Sequence, residues 1–477
     1  MSLNAALSAA ASGLAATTRG TQVVSDNIAN ALTDGYGVRT LITGARGPDS
    51  GVSVVAIRRE VDAVLLGAQR SARATSEAQA SVAEFWRRIE SAIGVPGAPG
   101  ALTERIGTLE GALQDAITRP DSDARLSAVV IAAGRLLEGL GDVQDRIQSA
   151  RAEADRSIAR DVEALNTGLR QIDTLNREIQ RVLIRGSDPN ALVDQRQAII
   201  DTLSAIVPLR ELPRDFGRVA LMTENGAILL DQQVASFGFT RSNVVDPSAS
   251  VVDGSLSGLT RDGRGVDLAT HGPVAGGRLA TSFALRDQLA VDTQAGLDAV
   301  AADLLARLAG PAADPTLAPG ERGIVVDAQG SLPDTGAGLA GRLQLNPLID
   351  PATGGELWRL RSGLAAGEPG PVGDSAVLGS IAARLAEPIS LGPGSAAHSL
   401  AGHAGAYLSS VGVAAFDADL AQQHAAARHF GLSEQLAAQG VDTDAELQRL
   451  LVLEQSYAAN ARVIRAVDEM LRRLMEI

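Results

Sequence analysis

The chain has 477 residues and a formal net charge of −14, with 42 cationic against 56 acidic side chains. A nucleic-acid surface needs a dense cationic patch, and no long basic run exists, so nucleic acid is not expected as a partner. There is no cysteine and no lysine, which excludes disulfides, thiolate metal sites, thiol catalysis, the usual P-loop and Schiff-base chemistry.

Hydrophobic residues make up 45% of the chain and aromatics only 3%. The core must therefore be built mostly from Leu, Ile, Val and Ala. No run of about 18 apolar residues occurs, so no membrane insertion is expected. Met1 to Leu14 lacks a cationic leader followed by an apolar block, so no cleaved signal peptide is expected.

In chain order, Leu3, Leu7, Ala10, Leu14, Thr17, Thr21, Val24, Ile28 and Ala31 alternate in steps of four and three. That is a heptad seam on a helix of roughly 45 Å, ending near Thr33-Asp34-Gly35. Helices are expected over Thr75–Ile93 and from Ala101 to Arg119-Pro120. A long helical run then goes from Asp121 to Ile184, with a possible break at Gly139–Gly141. Unbroken, that run would reach roughly 90 Å. Another helix follows from Asn190 and stops before Pro208.

The pattern then changes. Arg218–Thr223 and Ala227–Gln232 read as strands around Asn225-Gly226, a strong hairpin signal. Val234–Thr240, Ile324–Asp327 and Leu357–Leu360 also read as strands, and a helix is expected from Arg278 to about Leu308. Helical pattern returns near Ser375, breaks at 390–397, and continues to the end. The last helix carries a second seam: Leu450, Leu453, Tyr457, Asn460, Ile464, Val467, Leu471 and Leu474. Thr443 with Glu446 suggests a capping box before it.

The expected architecture is mainly α with an inserted β-rich domain, the N- and C-terminal helices pairing as a coiled coil beside a central long-helix bundle. The expected divisions are a terminal coiled-coil domain at 1–40 and 440–477, a helical bundle at 41–208 and 376–439, and a β-rich outer domain at 209–375. On pattern alone, two ordinary amphipathic helices on one core remain an alternative to seams completed by other copies.

Ser25-Asp26-Asn27-Ile28-Ala29-Asn30 followed by Thr33-Asp34-Gly35-Tyr36 resembles the S-x-N-I-A-N…T-x-G-Y signature of the flagellar rod, hook and hook-associated protein family. Asp34 stands where that family usually has Pro. Gln439-Gly440-Val441-Asp442, with Glu446, and Glu454 to Ile464 are similar to its C-terminal elements. Asn190 to Arg196 with Ile199 to Ser204, Gly276 to Leu279 with Leu285-Arg286-Asp287, and Arg342 to Pro347 resemble elements of the hook-associated members.

The resemblance implies a structural role at the junction between hook and filament, not an enzyme. It further implies self-assembly into a ring, contact with the hook protein and with a second hook-associated junction protein, and a chaperone on the C-terminal helix before export. The expected place is extracellular, on the flagellum. Ser25, Asn27, Ile28, Ala29, Asn30, Gly35 and Tyr36 carry the family motif; Leu3, Leu7, Leu14, Val24, Ile28 and the second seam are the candidate assembly residues. The alternatives are another axial subunit of hook or rod, a coiled-coil signalling or adhesion protein, and a soluble enzyme carried on the β-rich region.

No catalytic, cofactor or metal residues are expected. The close histidine pairs, His398/His403 and His424/His429, are spaced by five, about 140° apart on a helix, so these and His271 are expected to be solvated or capping. Ser255 and Ser257 in Gly254-Ser255-Leu256-Ser257-Gly258 do not occupy the nucleophile-elbow position.

Overall fold

Helix α1 (Leu3–Ala29) and a hairpin of β1 (Val38–Ala45) and β2 (Val52–Glu60) open the fold of this computed structural model. It describes residues 3–33, 35–47, 51–95, 97–268, 272–329, 336–392 and 396–475, without the Leu474 side chain. The hairpin falls in a stretch expected to belong to a helical bundle. Its strands pair antiparallel with a bulge between Ile42 and Thr43, setting Arg39 opposite Arg59.

Helix α2 (Ala63–Ile93) starts a dozen residues earlier than expected, because Asp62 accepts from the amides of Val64 and Leu65 and caps it there. Helix α3 (Leu102–Thr118) leads into α4 (Asp123–Ile184). The 62 residues of α4 run unbroken, about 93 Å at the α-helical rise. The expected break at Gly139 does not occur. A Cβ there would lie 2.8 Å from the Arg105 side chain of α3, so this glycine lets a neighbour cross instead of ending the helix. The true end is a Schellman motif: the amide of Ser187 donates to Val182, that of Gly186 to Leu183, and Gly186 is left-handed at φ 71°.

Helix α5 (Asn190–Ile206) folds back on α4, where Gly168 makes room for Leu203. Strands β3 (Leu209–Pro213), β4 (Val219–Thr223) and β5 (Ile228–Leu230) form one sheet, the last two joined at Asn225-Gly226 with Gly226 at φ 89°. Short strands β6 (Phe237–Gly238), β7 (Thr260–Arg261) and β8 (Arg264–Gly265) form a second sheet. Helix α6 (Gly277–Ala284) passes through a π turn at 285–289 into α7 (Ala290–Arg307). Strands β9 (Val325–Asp327) and β10 (Leu343–Leu345) pair antiparallel.

The expected strand at Leu357–Leu360 is instead helix α8 (Trp358–Ser362). Leu357, Leu360 and Leu364 recur at three and four and pack on one core, a spacing that a strand would scatter over both faces. Helices α9 (Ala376–Ala386), α10 (Leu400–Ala437) and α11 (Thr443–Met475) complete the chain.

Two hydrophobic cores are stacked along α4. The first gathers Leu126 to Ile147 of α4 with α3, α7, α9 and the start of α10. The second gathers Ile158 to Ile172 with α5, α6 and the sheet of β3–β5. Residues 209–375 thus divide between cores that both include α4. Between the cores lies a polar layer. Arg286, fully buried on the π turn, donates to Asp155 at 2.7 Å, to both oxygens of Asp287 and to the carbonyl of Ser257. Arg151, equally buried, donates to the carbonyls of Arg286, Asp246, Pro247 and Ala249. Every group here has a partner, the condition under which a buried polar network fixes one arrangement.

Candidate assembly interface

Helices α1 and α11 lie antiparallel. Gly13 faces Asn460 and Gly20 faces Leu453, each so close that a Cβ would come within 3.0 Å of the opposing side chain. The glycines are seven apart, as are their partners, so the predicted seams do meet. Val24 and Val467 are buried; Leu3, Leu7, Leu14, Ile28, Leu450, Leu453, Asn460, Ile464 and Leu471 are half-buried; Tyr457 stays exposed. The seams are thus largely used on each other, and the Leu474 side chain lies outside the described residues.

What remains open is a flank that the seam pattern did not reveal. Val452, Val463 and Met470 are 62%, 43% and 51% exposed. Their spacings of eleven and seven put them on one stripe, about 100° around α11 from the seam. Leu447 and Leu451 are exposed on the opposite flank. Helix α11 is capped by Asp442, which accepts from the amides of Asp444 and Ala445, and not by the expected Thr443. An aspartate oxygen fills this role as well as a threonine hydroxyl. Glu446 is buried at 2% exposure and accepts from Arg449 at 2.5 Å.

The Asn-Ile-Ala-Asn motif works inside the chain. Asn27, fully buried, receives the Tyr36 hydroxyl at 2.8 Å and the Arg39 amide at 3.0 Å on one oxygen; its Nδ2 donates to the Arg39 carbonyl at 2.9 Å. One side chain thereby pairs the backbone edge of β1 as a further strand would. Burial raises the Tyr36 hydroxyl above the usual phenol range, which keeps it a donor. Asn30 Nδ2 donates to the Asp26 carbonyl, Gly35 takes φ 77°, Ile28 is half-buried, and Ser25 and Ala29 are exposed. Asp34 lies outside the described residues.

The hairpin is also tied to α5. Asp194 accepts from Arg39 at 2.7 Å and from Arg59 at 2.8 Å, relieving the like charges that face each other across the strands. Asn190 Nδ2 donates to the Ile57 carbonyl. Arg196 donates to Asn176 and to the Gly217 carbonyl, while Arg70 of α2 joins Gln197, Asp201 and Glu211. The Asn190–Arg196 element thus joins the terminal pair to the strut. Arg39, Arg59 and Arg70 were not singled out in the sequence, because each finds its acid more than a hundred residues away.

His403 corrects the expectation of solvated histidines: it is buried, with Nδ1 2.8 Å from Asp303, which also accepts from buried Arg307. His429 meets Gln69 at 3.1 Å, His398 and His424 are exposed, and His271 lies outside the described residues. Among the described residues no cluster of metal-ligating side chains forms, and no helix is long and apolar enough to cross a membrane.

Paired chain ends, a hairpin clamped to them and a two-core strut define an elongated helical protein whose termini form one unit. Residues 86–309 match the family model of the flagellar hook-associated protein FlgK helical domain, and 433–477 that of the flagellar basal body rod FlgEFG protein C-terminal region. Flagellar hook-associated protein 1 of Escherichia coli (strain K12) is 24% identical over 253 residues, 51% of this chain and 46% of that protein. The Salmonella typhimurium protein of the same name is 26% identical over 51% of this chain and 45% of its own length; that of Bacillus subtilis (strain 168) is 24% identical over 29% and 28%. The solved structure of the flagellar hook junction protein FlgK from Burkholderia pseudomallei aligns at a TM-score of 0.45 with 18% identity, over 55% of this chain and 46% of that one. Over its helical region and its C-terminal end the chain is thus similar to flagellar hook-associated protein 1 and to the axial proteins of the flagellum. It spans a little under half the length of the first relatives it matches.

Proposed function

We propose that this chain is a structural subunit of the junction between flagellar hook and filament and assembles with copies of itself into a ring. The observation that carries the reading is the exposed stripe of Val452, Val463 and Met470 along the α1–α11 pair. A row of exposed apolar side chains along one helix face suits an interaction site. The matches to the two family models support the structural role, and the names of the similar proteins support the junction. Neighbours of the same kind as the hook protein and a second hook-associated protein cover the ring above and below. An export chaperone shields the last helix before assembly, and the assembled protein lies outside the cell, on the flagellum. The divisions at 1–40 with 440–477, 41–208 with 376–439, and 209–375 are part of this proposal, as inner pair, strut and outer region.

Val463→Asp tests it. The side chain is exposed, so folding is retained, while self-association measured by sedimentation and incorporation into flagella of a strain lacking the native protein are lost. Normal incorporation of this variant would exclude the stripe as the assembly surface.

A further inference from the structure

A cleft of about 640 Å³ opens between α1, β1 and the first turns of α11. Gly20 and Val24 form one wall, Arg39 and Leu41 a second, Glu446 and Val452 a third. Two buried polar atoms on these walls have no hydrogen-bond partner among the described residues: Glu446 Oε2 and Arg39 Nε. Arg449 reaches only the other oxygen of Glu446, and the bond from Arg39 Nη2 to Asp194 and the ring contact with Tyr36 leave Nε free. A buried carboxylate oxygen without a donor is costly in the free chain.

The two atoms are an acceptor and a donor. A cation alone would satisfy Glu446 and leave Arg39 Nε bare; an anion would do the reverse. The amides of Asp444 and Ala445 at the start of α11 are already taken by Asp442, so the helix end adds no free anion site there. Water, a hydroxyl and an amide all donate and accept without net charge; of these the amide carries its donor and its acceptor on separate atoms, which suits two groups set on different walls. Val452 belongs to both the cleft wall and the exposed stripe, so the cleft opens beside the proposed contact surface.

We infer that the cleft receives an amide group, side-chain or main-chain, from a second copy of this chain, its N–H donating to Glu446 and its oxygen accepting from Arg39. This rests on the assembly reading above and assigns Glu446 as a group left unsatisfied in the single chain and completed by its neighbour.

The test uses the full chain. Glu446→Ala weakens self-association about tenfold, the loss of one hydrogen bond to a charged group, and leaves the thermal midpoint of the unassembled protein unchanged or higher. Glu446→Gln, which keeps an acceptor oxygen, stays within about threefold of the parent. Gln448→Cys gives a cysteine-free chain one exposed thiol at the cleft mouth, and its reaction with a maleimide slows on assembly. The inference is overturned if Glu446→Ala assembles like the parent, which would make the cleft a water site. It is equally overturned if that variant lowers the midpoint, which would make Glu446 a support of the fold, or if the thiol reacts equally fast in both states. Loss of assembly in Val463→Asp with none in Glu446→Ala would sink this inference alone; a parent chain that never self-associates would sink the assembly reading with it.

Discussion

Helices α4 and α11 carry the same kind of apolar periodicity and end in different surroundings. On α4, Leu126, Leu140, Ile147, Ile158, Leu165, Leu169 and Ile172 are all sealed, because α3, α5, α6 and α7 cover it along its length. On α11 only Val467 and Glu446 are buried among the described side chains, since α1 is its main helical partner. A stripe of leucines therefore says that a helix has a partner, not how many. Whether its flanks are finished depends on neighbours that the helix's own sequence does not encode.

The contrast can be broken most forcefully at the polar layer of α4. Arg286→Ala strands Asp155 and Asp287 without their cation and should lower unfolding free energy by about 3–5 kcal/mol in urea titrations. A value near zero would mean the layer is wet and the two cores are independent. Asn27→Ala removes two hydrogen bonds from the edge of β1 and one from the Tyr36 hydroxyl. It should cost about 1–3 kcal/mol and speed hydrogen exchange in residues 38–60 while α4 stays protected; equal effects on both would erase the distinction between them. On the open flank of α11, Val463→Asp should change stability by no more than about 0.5 kcal/mol, in contrast to its effect on assembly.

The smallest effect is with acid. Hydrogen bonds from Arg160 and Arg156 hold Glu153 below its ordinary 4.5, and those from the Ser248 amide and hydroxyl hold Asp246 below 3.8. A depressed folded value means that the stabilisation is complete above the ordinary values and lost as pH falls through the lowered ones. The thermal midpoint should be flat above about pH 5 and decline below it. Glu153→Gln should shallow that decline, and an unchanged slope would remove the group from the account.

Much of this was legible in the sequence. The seams of α1 and α11, the long α4, the Asn225-Gly226 hairpin and the α6–α7 helix follow from periodicity and turn chemistry, because local spacing determines them. The hairpin of β1 and β2 was missed: its pairing is settled by Asn27 and Asp194, which lie outside it. Gly139 misled for a related reason, since a glycine that admits a neighbour cannot be told by itself from one that ends a helix. The seam residues of the candidate interface were visible, but the open flank at Val452 and the buried oxygen of Glu446 became apparent only once α1 and the hairpin stood beside α11.

The uninterrupted course of α4 through both cores constrains its length as well as its composition. Each residue added or removed between Arg151 and Ile158 would turn the far core by about 100° and shift it by about 1.5 Å against the near one. Only changes close to whole turns, such as seven or eleven residues, would preserve the mutual orientation of the two halves. The helix thus acts as a ruler and a key at once, tolerant of substitution on its wet side and intolerant of insertion.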